Sequence, residues 1–208
     1  MYCYIYLQPM KPNKEDIKIA ILISGTGSIM EAILRFFLRK NLWCRAILSP
    51  NNFVVIANKQ SSGLEKARAF EVRAIVIESK NKTREDFESI LHAKLIEEKV
   101  SFIALAGFMR ILTANFVSMW SGRVINSHPS LLPSFKGAHA VQDALNYGVK
   151  IVGTTIHFVS PEVDGGKIIA QLSTPVKPQD EEIALHEKIK KLERKLYPKV
   201  LYNLLCRT

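Results

Sequence analysis

Apolar residues come in short dense runs separated by stretches where they recur every three or four positions, the pattern of buried strands alternating with amphipathic helices. Ile17 to Ser24 is a continuous apolar run rich in isoleucine, which predicts a strand covered on both faces. A glycine turn follows, and then a segment in which Ile29, Met30, Ile33, Leu34, Phe37 and Leu38 share one helical face. Phe53 to Ala57 predicts the next strand, after an irregular stretch from Asn41 to Asn52. Leu64 to Phe70 reads as a short helix and Ala74 to Ile77 as a strand. Thr83 to Glu98 reads as a helix capped by Thr83, with Asp86 three residues on in an approximate capping box. Val100 to Ala106, a short helix near Ala114 to Met119, and a strand ending at Asn126 continue the alternation.

The order βαβαβαβ implies an α/β fold with a doubly wound, mostly parallel sheet. After Asn126 the pattern changes. A loop holding Pro129 and Pro133 leads to a helix near Ala140 to Tyr147, and then to two β-type runs, Ile151 to Val159 and Ile168 to Ser173. These flank Asp164, Gly165 and Gly166, and are expected to extend the sheet as an antiparallel pair. Glu181 to Cys206 is predicted helical, with a break or bend at Pro198. There is neither an internal repeat nor a long linker, so the expectation is one domain over 17–208 preceded by a 1–16 extension read as a tail, with a start at Met10 as an alternative.

Composition narrows this without changing it. The 208 residues are 48% hydrophobic and 23% charged, which excludes disorder and collagen-like repeats. No apolar run approaches the ~20 residues of a membrane helix, and Met1 to Met10 lacks the basic start and cleavage site of a signal peptide. Cys3, Cys44 and Cys206 are odd in number and far apart, which fits reduced thiols in a cytoplasmic protein and disfavours a zinc site. The net charge of +10 invites a nucleic-acid reading, but the basic residues are dispersed. The one cluster, Lys188, Lys190, Lys191, Arg194 and Lys195, is interleaved with Glu187 and Glu193, so nucleic acid is not the expected partner.

Three segments carry candidate chemistry. Ser24-Gly25-Thr26-Gly27-Ser28 joins the first strand to its helix, where two glycines allow a tight turn and the helix start offers free N–H groups to an anion. A dinucleotide fingerprint would need glycine where Met30 stands, and no Gly-Lys-Ser/Thr ending is present. Phosphate is favoured, with a ligand-free turn capped by Ser28 as the alternative. Asn126-Ser127-His128 follows a predicted parallel strand at its carboxyl end, where such sheets bind ligands. Asn126 and His128 project to one side if the strand runs through both. Asp164 sits at a glycine turn, where an acid alone is ordinarily a turn-maker. Together, Asn126, His128 and Asp164 offer an oxyanion donor, a proton donor and a charge that holds the imidazole protonated. His186-Glu187 begins an HExxH that fails at Lys190, and GxSxG is absent. His92 and His139 are scattered, and His157, inside an alternating strand, is assigned to the core.

At these residues the chain resembles the glycinamide ribonucleotide formyltransferases of purine synthesis, from about Ile17 to Leu204. The shared segments are LISGTGS (Leu22 to Ser28), AGFMRIL (Ala106 to Leu112), INSHPSLLP (Ile125 to Pro133), FKGAHA (Phe135 to Ala140), GTTIHFV (Gly153 to Val159) and VDGGKII (Val163 to Ile169). The resemblance implies a Rossmann-like formyltransferase fold. It also implies transfer of the formyl group of 10-formyltetrahydrofolate, a co-substrate, to the primary amine of 5-phosphoribosylglycinamide, without a metal. By motif position Asn126, His128 and Asp164 would be catalytic. Gly27, Ser28 and the amide of Ile29 would bind the substrate phosphate, and Glu193 the ribose. Folate would lie against Met109, Arg110, Ile111 and Leu112, with Asn126 and the turn Ser160, Pro161, Glu162, Val163, Asp164, and Arg84 near the glutamate tail. The family usually has Asn where this chain has Ile29, which predicts weaker phosphate binding or compensation by Lys190.

Rivals remain. Methionyl-tRNA formyltransferases share the trio but are longer, with a tRNA-binding barrel. Formyltetrahydrofolate deformylases carry a further amino-terminal domain, and their acid is usually followed by Glu-Gly rather than Gly165-Gly166. A non-catalytic folate-binding module would not need a histidine paired with an acid. The expected partners are small molecules, with no membrane, and the chain is expected to be a monomer or homodimer in the cytoplasm.

Overall fold

The structure is a computed structural model that describes residues 17–38 and 48–205. Seven strands form one sheet in the order β3-β2-β1-β4-β5-β6-β7. β1 (Ile19–Ile23), β2 (Phe53–Ala57), β3 (Arg73–Val76), β4 (Phe102–Leu105) and β5 (Val124–His128) are parallel. β6 (Ile151–Phe158) joins both β5 and β7 (Ile168–Pro175) antiparallel. The helices are α1 (Ser28–Leu38), α2 (Ser62–Ala69), α3 (Arg84–Glu97), α4 (Ala114–Met119), α5 (Ala140–Tyr147) and α6 (Glu182–Leu205).

Alternation along β1 explains the unbroken apolar run. Ile19, Ile21 and Ile23 join the core beneath α1 and α6, while Ala20 and Leu22 join the one on the side of α3 and α4. Each central strand therefore needs apolar residues at every position. A smaller cluster of Val141, Ala144, Val152, Leu185 and Ile189 ties α5 and the start of α6 to β6.

Two local expectations are refined. α6 continues as one helix through Pro198, so the chain does not break there. A proline inside a helix costs about 3 kcal/mol, but Leu196, Tyr197, Val200 and Leu201 around it are buried, and the Tyr197 hydroxyl donates to Leu105 O at 3.0 Å and Ile125 O at 3.1 Å. That packing holds the helix on the sheet across the missing bond. In α3 only half of the capping box forms: Thr83 Oγ1 accepts from the Asp86 N–H at 3.0 Å, and no return bond from the Asp86 carboxylate is made. Residues 1–16, the thiols Cys3, Cys44 and Cys206, and most of the stretch from Asn41 to Asn52 lie outside the described residues. Among the described residues, no helix is long and apolar enough to cross a membrane.

Candidate active site

Parallel strands all deliver their carboxyl ends to one edge of a sheet, and the loops leaving that edge hold the candidate residues. The loop after β1 turns through Gly27 at φ +66, a conformation natural to glycine. A Cβ on Gly27 would lie 2.8 Å from Met30 Cε and 3.1 Å from Gly63 Cα, so the start of α2 presses on this loop. Gly27 O accepts the Glu31 N–H at 2.8 Å, the first bond of α1. The N–H groups of Ser28, Ile29 and Met30 are thereby left without helical partners and open to an anion. The Ile29 side chain is buried in the α1 core, so position 29 can offer an anion its backbone N–H and not a side chain. Lys190 Nζ pairs with Glu187 Oε1 at 2.8 Å on the exposed side of α6.

This first loop is tied to the one after β4. Ser24 N–H donates to Gly107 O at 3.1 Å, and Ser24 Oγ accepts the Met109 N–H at 2.9 Å. In that second loop Met109 and Ile111 are exposed, while Leu112 is buried. The Arg110 guanidinium lies 4.7 Å over the Phe87 ring of α3. Arg84, the first residue of α3, is exposed one helical turn away on the same element. The loop's far end is pinned by the buried Glu88 carboxylate, which accepts from Thr113 N at 2.8 Å and from the Thr113 hydroxyl.

β5 extends through His128, so Asn126 and His128 do share a face. β4 accompanies β5 only as far as Asn126, opposite Leu105, and β6 supports Ser127 and His128 beyond it. His128 is buried, with Nδ1 3.3 Å from Asp164 Oδ2 and Nε2 2.8 Å from Phe135 O. A carbonyl only accepts, so Nε2 carries hydrogen. Nδ1 lies opposite the carboxylate, which can receive a hydrogen from it. Asp164 Oδ2 also accepts the Gly137 N–H at 2.9 Å. Asp164 adopts φ +51, and Gly166 lets the turn close: a Cβ there would sit 1.7 Å from Phe158 O. In the same turn Ser160 Oγ donates to Glu162 O at 2.9 Å, Glu162 pairs with Lys136 at 2.6 Å, and Val163 is exposed. Pro161 follows Ser160 directly, so the turn leaves β6 in a fixed direction.

The other face of β5 leads to Glu193. Ser127 points away from Asn126 and His128, toward α6, where its hydroxyl favours the ionised form of the Glu193 carboxyl. Glu193 is 5% exposed, and burial pushes its carboxyl from 4.5 up to about 7, opposed by the Ser127 hydroxyl, Lys190 and Arg194.

Sequence reasoning missed part of this site. His157, assigned to the core, is buried as expected, but its Nε2 lies 3.7 Å from Asp164 Oδ1 and its strand position is directly opposite Asn126. The alternation Thr155-Ile156-His157 was the available signal, since it puts His157 on the face shared with Asn126 and His128. Thr155 and Gln171 also went unnoticed. Thr155 Oγ1 accepts Leu132 N at 3.0 Å and donates to Ser130 O at 2.7 Å, and Gln171 Nε2 donates to Leu132 O at 2.9 Å, so β6 and β7 hold the segment after His128. Among the described residues, no three His, Cys, Asp or Glu side chains are arranged to hold a metal ion.

A doubly wound sheet with an imidazole–carboxylate pair and an amide at the end of its last parallel strand, beside an anion-receptive glycine turn, defines an α/β protein equipped to move a proton and stabilise a developing oxyanion. The chain belongs to the formyl transferase family, whose model it matches over residues 17–201. It is 42% identical over 191 residues to the human trifunctional purine biosynthetic protein adenosine-3, covering 91% of this chain and 18% of that longer protein. The chain thus spans under a fifth of the length of such relatives. It is 36% identical to the Bacillus subtilis phosphoribosylglycinamide formyltransferase over 90% of this chain and 94% of that one. Among solved structures, the phosphoribosylglycinamide formyltransferase of Bacillus halodurans superposes with a TM-score of 0.81 at 33% identity, covering 91% and 96% of the two chains. That of Brucella melitensis superposes with 0.80 at 35% identity, covering 92% and 96%.

Proposed function

We propose that this protein transfers the formyl group of 10-formyltetrahydrofolate to the primary amine of 5-phosphoribosylglycinamide in purine biosynthesis. The observation that carries the reading is the 3.3 Å pairing of His128 with Asp164, on the strand face that also bears Asn126. The amine nitrogen attacks the formyl carbon, and the carbonyl electron pair moves onto oxygen. The His128 N–H and the Asn126 amide hold that oxyanion. Asp164 keeps His128 cationic and takes the amine proton through a water, returning it to the folate nitrogen as the C–N bond breaks. His128 must release Phe135 O to turn Nε2–H toward the formyl oxygen. Side chains supply each charge and proton, so no metal enters the scheme.

The phosphate binds at Gly27, Ser28 and the N–H of Ile29, with Lys190 adding charge nearby, and the ribose hydroxyls bind Glu193. Folate lies along Met109, Arg110, Ile111 and Leu112, reaches Asn126 and the 160–164 turn, and extends its glutamate toward Arg84. The exposed Met109 and Ile111 give the pterin an apolar surface. The partners are these small molecules and the setting is the cytoplasm, with the protein acting as a monomer or homodimer.

The test is loss of 10-formyltetrahydrofolate absorbance with and without the glycinamide acceptor, with the product checked by mass and the assay repeated after chelation. Acceptor-dependent turnover that survives EDTA is expected. Folate consumption without acceptor would instead identify a deformylase, and loss of activity restored by zinc or magnesium would overturn the metal-free scheme.

A further inference from the structure

We propose that His157 is a positioning residue whose Nε2 receives Asp164 while that carboxyl carries the transferred proton. The proposal deepens the reaction above and rests on it.

His157 is 2% exposed. Its Nδ1 lies 2.9 Å from Phe158 O, and because a carbonyl only accepts, Nδ1 bears the hydrogen. Burial favours the neutral ring, and the neighbouring His128 adds to this, against Asp164 and the Phe158 carbonyl. Nε2 therefore presents a lone pair, and among the described residues nothing donates to it. It faces Asp164 Oδ1 at 3.7 Å. Acceptor against acceptor explains that distance, which is too long for a hydrogen bond. An orphaned buried acceptor is destabilising and calls for an explanation.

The reaction supplies one. Between attack and departure the amine proton resides on Asp164. A proton on Oδ1 makes it a donor, and the gap to Nε2 closes into a hydrogen bond. When the C–N bond to folate breaks, the electron pair goes to the folate nitrogen, the proton follows, and His157 is orphaned again. His157 thus stabilises the short-lived protonated carboxyl and not the resting carboxylate, which is where an interaction must act to raise kcat. The titratable and polar groups around it are Asp164 from the 160–166 turn, His128 and Asn126 from β5, and Thr155 and the Phe158 carbonyl from its own strand.

Two variants divide the ring between them. His157→Asn keeps a donor near the place of Nδ1 and leaves nothing opposite Asp164, whereas His157→Gln reaches the place of Nε2 with an amide oxygen. The expected result for Asn is a roughly 10- to 100-fold loss of kcat with both KM values within about twofold. Gln restores most of kcat. Wild-type kcat in a folded Asn variant would overturn the proposal, as would a Gln variant as impaired as Asn. An ¹⁵N spectrum of the free protein needs no turnover. The two ring nitrogens of His157 at neutral pH should show Nδ1 carrying the hydrogen and Nε2 a lone pair, and the reverse tautomer, with Nε2–H facing Asp164, overturns the pairing. Absence of acceptor-dependent turnover in the wild type would instead count against the formyl transfer itself.

Discussion

Glu193→Gln tests the other carboxyl of the site through pH. Burial pushes the Glu193 carboxyl up to about 7 in the folded protein, from the 4.5 of a freely solvated glutamate. The folded state thus binds more protons than the unfolded chain across that interval, and stability falls as pH rises through it. At 1.36 kcal/mol per pH unit, the ionised group costs the fold about 3 kcal/mol at pH 8. Glutamine matches the protonated side chain in shape and never ionises. The variant should therefore equal wild type near pH 4.5 and exceed it by about 3 kcal/mol at pH 8, or roughly 6–12 °C in Tm for a chain of this size. Urea denaturation at four or five pH values reads this directly. A stability difference independent of pH, or a wild type that gains on the variant as pH rises, would refute the reasoning. The same change should raise KM for the phosphoribosyl substrate roughly 10- to 100-fold at pH 8, because a charged acceptor for its hydroxyls is lost.

Three further outcomes are exposed to measurement. Asp164→Asn should lower turnover by roughly 10²-fold or more while folate affinity, followed by fluorescence, changes little; full turnover would disprove its pairing with His128. Ile29→Asn buries an amide in the α1 core and should destabilise the protein by about 1–3 kcal/mol without tightening phosphate binding, so a gain in affinity on titration would show that the side chain reaches the ligand. Gly166→Ala forces a Cβ onto Phe158 O and displaces the Asp164 turn, so kcat and Tm should fall together; an unchanged Tm would mean the turn yields without cost.

The parallel half of the fold was readable because β1, β2 and β4 are buried on both faces, and Ile19–Ile23 or Phe53–Ala57 cannot be mistaken for a helix of that length. Pro198 misled because its local cost is intrinsic, whereas the opposing contacts of Tyr197 with Leu105 and Ile125 join residues 92 and 72 positions apart. At the site, the two-residue spacing of Asn126 and His128 sufficed to place them together. Asp164, 36 positions on, joins them by complementary chemistry at the mouth of one sheet, and spacing alone does not place it there. What stayed hidden was backbone chemistry. Phe135 O and Gly137 N–H have no signature in residue type, and the left-handed Phe135 and Asp164 that aim this segment and turn are conformations a residue name does not announce. His157 is buried, as its place in an alternating strand implies, and only the tertiary fold shows its Nε2 3.7 Å from Asp164 Oδ1.

The change of strand direction at β5 accounts for where the chemistry sits. A parallel neighbour stops supporting β5 at Asn126, and in a fully parallel sheet the next residues would leave as loop. β6 runs the other way and continues the ladder through Ser127 and His128. Three successive side chains are thereby held as strand beyond the end of β4, and strand alternation sorts them. Asn126 and His128 face the turn that brings Asp164, while Ser127 faces α6 and Glu193. One short strand thus turns Asn126 and His128 to one side and Ser127 to the other. A slip of one residue in the β5–β6 register would exchange the two faces. The His128 carbonyl bond to Thr154 Oγ1 and the Thr155 bonds to Leu132 and Ser130 oppose that slip, so these β6 threonines serve the site by fixing which way β5 points.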